Sequence, residues 1–139
     1  DIHPRNKQDV GRRLARWPLH DLYGKTDTVP SGPLYRDMKI EGDSIRLSFD
    51  HLGGGLMVGK KDGLKPTSPS TDPLGEFAIS DADGNWHWAN ATIDGDTILV
   101  SATNVKNPTN VRYAFQSNPT KANLYNKAGL PASPFRTGN

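Results

Sequence analysis

One nine-residue pattern occurs twice in this chain: Ile40-Glu-Gly-Asp-Ser-Ile45-Arg-Leu-Ser48 and Ile93-Asp-Gly-Asp-Thr-Ile98-Leu-Val-Ser101. Each carries an acid-Gly-Asp turn between apolar segments, and glycine supplies the positive φ that a tight hairpin turn demands. Two similar β-hairpins are therefore expected. Around them the hydrophobic period is two: Ile45, Leu47 and Phe49 alternate with Ser44, Arg46, Ser48 and Asp50, and Val111, Tyr113 and Phe115 alternate with Asn110, Arg112 and Ala114. Such alternation marks strands with one buried face. Further strands are expected at 34–41, 55–59, 75–80, 86–93 and 97–102. Short strands separated by turn signals, with no long crossover, predict an antiparallel β-sandwich of jelly-roll-like form rather than a parallel sheet.

Composition agrees. Of 139 residues only 34% are hydrophobic, while Gly supplies 14 and Pro 11, a mix that excludes a coiled coil. The length suits one ordinary core. With no cysteine, disulfides, thiolate catalysis and cysteine-ligated zinc are ruled out. No apolar run approaches the roughly 18–20 residues that a membrane-crossing helix needs, so no membrane partner is expected.

The first 25 residues differ from the rest. After Pro4, a favoured first-turn residue, Val10, Leu14 and Trp17 recur at helical spacing, predicting an amphipathic helix over 5–17 that Pro18 stops or kinks. The polar, turn-rich stretch 25–33 reads as a linker. Residues 1–25 hold six basic and three acidic side chains, against a net charge of +2 for the whole chain. No aromatic falls among the basic residues from Arg5 to Arg16, so they read as a solvated helix face and no nucleic-acid partner is expected. A single helix cannot form its own core; it either packs on the sandwich or completes a preceding domain.

Asp1-Ile-His3-Pro4 places an acid and an imidazole just ahead of that helix, the pairing a general base uses. No Gly-x-Ser-x-Gly or Gly-Asp-Ser nucleophile turn precedes His3, and the Gly42-Asp43-Ser44 run belongs to the first of the two hairpin turns. Three blocks then point to a family. They are Asp1-Ile-His-Pro-Arg-Asn-Lys-Gln-Asp-Val-Gly-Arg-Arg-Leu-Ala15; Met38-Lys-Ile-Glu-Gly-Asp-Ser-Ile-Arg-Leu-Ser-Phe-Asp50 with Gly53-Gly-Gly-Leu56; and Asn123-Leu-Tyr-Asn-Lys-Ala-Gly-Leu-Pro-Ala-Ser-Pro-Phe-Arg-Thr137. Together they resemble the C-terminal third of sialate O-acetylesterase-like proteins, which are SGNH (GDSL-type) carbohydrate esterases.

The resemblance implies that residues 1–24 close an SGNH α/β esterase domain with its last helix, that 25–33 are a linker, and that 34–139 are an accessory β-sandwich with a C-terminal wrap-back tail. It also implies His3 as catalytic base and Asp1 as the acid two residues before it. The Ser nucleophile and oxyanion donors would lie in an upstream SGNH domain, on the same protein or a companion chain, so this chain alone is expected to be inactive. The implied substrate is an acetylated carbohydrate, sialic acid or another sugar. No metal or cofactor is implied, and family habit places such proteins in the periplasm or outside the cell.

Other residues admit two readings. Trp86 and Trp88 share a strand face, suited to stacking on a sugar ring or to packing in a core. Arg112 and Arg136 suit either a bidentate contact to a sugar carboxylate or a plain surface position. His20, His51 and His87 lack zinc-site spacing, and Asp81-Ala-Asp83-Gly-Asn85 reads as a hairpin turn rather than a calcium loop. Residues 60–73 read as a mobile, proline-punctuated surface loop. The alternative to an esterase part is a non-catalytic carbohydrate-binding or bracing β-sandwich module.

Overall fold

A computed structural model describes residues 9, 12–17, 29–116 and 119–138. Among the described residues the fold is mainly antiparallel β, with helix at Asp9 and over 12–17. Among the described residues the strands are β1 (Leu34–Glu41), β2 (Ser44–Asp50), β3 (Leu56–Lys60), β4 (Ser68–Pro69), β5 (Phe77–Ser80), β6 (Trp86–Trp88), β7 (Asn90–Asp94), β8 (Thr97–Ser101), β9 (Asn110–Tyr113), β10 (Leu124–Asn126) and β11 (Phe135–Arg136). They form sheets ordered β1-β2-β8-β7, β11-β9-β5-β6 and β10-β3-β4.

The two echoed segments form two hairpins, β1–β2 and β7–β8, and these pair with each other. Ser44 opposes Ser101, Arg46 opposes Leu99 and Ser48 opposes Thr97, so the antiparallel repeats are arranged symmetrically about Arg46 and Leu99, the one equivalent pair that meets. Along β2 the burial alternates as the sequence period predicts, with Ile45 and Leu47 fully buried. Opposite them lies β11-β9-β5-β6, and aromatic rings join the two layers. Phe135 stacks on Tyr35 at 5.1 Å, meets Phe49 edge-on at 5.6 Å, and lies 5.8 Å from Tyr113, which in turn sits 4.7 Å from Phe77. Such ring pairs add to the burial energy of the interface.

Four expectations change. Residues 86–93 are two strands rather than one: Trp88 pairs with Ala78 in one sheet and Asn90 with Ser101 in the other, the chain crossing at Ala89. Strand-switching corners of this kind close a sandwich. The strand from Asn110 ends at Tyr113 because Ala114 takes φ 53°, and Phe115, expected inside, is 54% exposed. The C-terminal wrap-back tail, for which no strand was expected, contributes β10 beside β3 and β11 beside β9. Within the loop at 60–73, β4 pairs with β3 and Thr67 Oγ1 donates to Gly129 O at 3.0 Å, so that segment is fastened to the sheet.

Asn126 is a buried polar hub. Its Nδ2 donates to Ser31 O (3.1 Å) and His51 O (3.0 Å), and Leu130 N donates to its Oδ1 (3.1 Å). One side chain thus joins the segment just before β1, the β2–β3 loop and the turn after β10. The glycines nearby serve the same close approach: a Cβ on Gly32 would fall 1.8 Å from Pro131 O, and Gly53 combines φ 56° with a Cβ position 2.9 Å from the Asn126 amide.

Candidate functional site

Asp1, His3 and His20 lie outside the described residues. What is described is where the segment behind His3 attaches. Asp9 is ion-paired with Lys61 at 2.8 Å, Arg16 Nη1 donates to Val29 O at 3.0 Å, and Trp17 meets His51 edge-on at 5.5 Å. The helical segment therefore rests on the loops around β3. On it Leu14 is 70% and Trp17 41% exposed.

The other four candidates, Trp86, Trp88, Arg112 and Arg136, all lie on the outward face of β11-β9-β5-β6. Trp88, Ala78, Arg112 and Arg136 form one lateral row across its four strands. The small outward residues of β5, Ala78 and Ser80, let Arg112 reach across that strand. Its guanidinium lies 4.4 Å from the Trp86 ring centre, with Arg136 at 5.7 Å from the same ring. Cation–π contacts of this kind contribute about 0.5–2 kcal/mol. Among the described residues neither arginine forms an ion pair with a carboxylate.

The two tryptophans consequently differ. Trp86 is half-buried beneath the guanidinium groups, whereas Trp88 is 68% exposed, with no ring or cation over it among the described residues. Trp88 borders a cleft of about 460 Å³ lined also by Glu76, Gln116, Thr120 and Lys121. Two non-glycine residues hold left-handed backbone beside it, Glu76 at φ 67° and Ala114 at φ 53°, and Ala114 N donates to Glu76 O at 3.0 Å. Gln116 Nε2 donates to Glu76 Oε2 at 2.6 Å. Glu76, Gln116 and the outward turn of Phe115 were invisible in the sequence, because nothing in the residue types signals that Glu76 and Ala114 leave the β region.

His87 belongs to a turn. Its Nε2 lies 2.9 Å from Asp81 Oδ2, and Asp81 Oδ1 accepts from the backbone N–H groups of Asp83 (3.0 Å) and Asn85 (2.9 Å). The hydrogen bond from His87, then that from the Asn85 N–H, hold the Asp81 carboxyl below its ordinary pKa. Asp81-Ala-Asp83-Gly-Asn85 is thus a hairpin turn between β5 and β6, as its sequence suggests.

No protein-family model matches the chain, and no curated protein does so either. Among solved structures, the chain is similar over 100% of its length to a carbohydrate acetylesterase from Xanthomonas citri, with 41% sequence identity and a TM-score of 0.85. It spans 30% of that protein's length. The chain is thereby related to part of a carbohydrate acetylesterase.

Proposed function

We propose that this chain is the C-terminal part of a carbohydrate O-acetylesterase of SGNH type, in which residues 1–24 complete an α/β esterase domain and residues 34–139 form its accessory β-sandwich. One observation carries the reading: the whole-length likeness, at 41% identity, to part of a carbohydrate acetylesterase. The exposed Leu14 and Trp17 support it, since they offer an apolar side for an esterase domain to cover.

In this reading an upstream Ser attacks the carbonyl carbon of a sugar acetate while His3 takes the hydroxyl proton, with Asp1 holding the imidazole. Upstream oxyanion donors stabilise the tetrahedral intermediate. His3 then protonates the departing sugar oxygen; water, deprotonated by His3, releases acetate and restores the Ser. Sialic acid and other acetylated sugars are the candidate substrates, encountered in the periplasm or outside the cell.

The test is complementation. The 139-residue chain is assayed for acetate release from aryl acetates and acetylated oligosaccharides, alone and joined to an upstream SGNH domain. Activity only in the joined protein is expected; hydrolysis by the chain alone would overturn the reading.

A further inference from the structure

The accessory sandwich offers a second place for carbohydrate, away from His3 in the sequence. We infer that the cleft beside Trp88 is a binding subsite for a neutral oligosaccharide, with the exposed indole as the platform on which one sugar ring lies. This deepens the proposed function and rests on it only in taking the ligand to be carbohydrate.

Four observations converge. First, Trp88 keeps its ring open to solvent while its neighbour Trp86 is capped by Arg112, so one indole is structural and the other is left available. Second, the wall facing that ring is polar: Glu76, Gln116, Thr120 and Lys121 supply donors and acceptors. A single apolar plane with a polar rim matches a pyranose, whose C–H face stacks and whose hydroxyls point outward; a protein partner would call for a broader apolar patch.

Third, Glu76 and Lys121 offset one another in this wall while the guanidinium groups of Arg112 and Arg136 lie over Trp86 and do not line the cleft, which favours an uncharged ligand over an anionic one. Fourth, the wall is preset. The Glu76 carboxylate is held by Gln116 at 2.6 Å, and the backbone of Glu76 and Ala114 is kept in left-handed conformations that non-glycine residues rarely adopt.

The cleft also continues. Thr120 and Lys121 are shared with an adjoining cleft of about 540 Å³ that reaches Gly59 and Tyr125. Each volume falls within the roughly 300–1,000 Å³ of small-ligand sites. Two clefts in series suit a chain of sugars rather than a monosaccharide.

The test is a titration of the 139-residue chain with neutral β-linked hexasaccharides (cellohexaose, xylohexaose), the matching monosaccharides and an oligogalacturonate. Tryptophan fluorescence and amide chemical shifts at Gln116, Thr120 and Lys121 provide the readouts. A neutral hexasaccharide is expected to bind at least about tenfold more tightly than its monosaccharide. Trp88→Ala should weaken that binding at least about tenfold with the melting temperature unchanged, and Gln116→Ala should weaken it several-fold. Absence of binding by either neutral hexasaccharide at millimolar concentration, binding of the oligogalacturonate alone, or full affinity in Trp88→Ala would overturn the inference. Acetate release by the longer protein is read separately, so hexasaccharide binding without esterase activity would reject the proposed function and leave the subsite standing.

Discussion

The Arg46 guanidinium donates to Asp94 at 2.7 Å, joining residues 48 positions apart in the sequence. The same side chain donates from Nε to Glu41 at 2.6 Å, and Glu41 and Asp94 occupy equivalent places in the two echoed hairpins. One cation on β2 therefore ties both turns together from the pair about which the repeat is arranged. Exposed ion pairs are weak singly, but a shared guanidinium holding two acids and Thr97 acts as a network.

Replacing Arg46 with Met should lower the melting temperature by a few degrees and flatten its acid dependence. The Glu41 carboxyl is held below its ordinary pKa, first by the Arg46 hydrogen bond. A lowered folded-state pKa adds stability above the unfolded value, and that stability is lost as pH falls through the folded one. The unsubstituted chain should thus lose stability as pH drops below about 4, and Arg46→Met should lose less over that window. Thermal melts from pH 7 to 2 check this; equal pH dependence in both proteins would contradict it.

Tyr113 supplies a polar atom in the core. Leu124 N donates to its hydroxyl at 3.0 Å, and both residues are almost fully buried. Burial pushes the phenol pKa up to about 12. Tyr113→Phe keeps the ring stack and strands the Leu124 N–H, so a loss of about 1–3 kcal/mol is expected by denaturant unfolding. A change below about 0.5 kcal/mol would show that the amide finds another partner.

Phe135 sits in the tail yet contacts rings from both layers. Phe135→Ala should cost roughly 3 kcal/mol through the cavity it leaves. Phe135→Leu, which fills most of that space, should recover more than half of the loss in the same unfolding assay.

Asn126→Ala should cost about 2 kcal/mol or more, because it leaves Leu130 N–H and two carbonyl oxygens without their partner. Hydrogen exchange is expected to rise first at Leu130, the amide that Asn126 accepts.

The hairpins were legible in the sequence because their signal is local: an acid-Gly-Asp turn and an alternation of period two. The crossing at Ala89 was not legible. His87, Ala89, Ala91 and Ile93 keep one parity through the corner, and a strand that changes sheets without changing its inward face leaves the alternation intact. Short β10 and β11 carry too few residues for a period to show, and their pairing is set by β3 and β9, far away in sequence. At the site, the shared face of Trp86 and Trp88 followed from spacing alone. Which indole is capped did not, because the guanidinium comes from β9 across the small side chains of β5.

The central claim is that His3 serves as catalytic base in a carbohydrate O-acetylesterase of which this chain is one part. Its most direct test is acetate release from an acetylated oligosaccharide by the chain joined to its upstream domain, with His3 intact and as His3→Ala. The account predicts that the substitution lowers the rate by at least about a hundredfold, the scale of positioned acid–base catalysis, with the fold unchanged. A His3→Ala protein that releases acetate within a few-fold of the unsubstituted rate would contradict it.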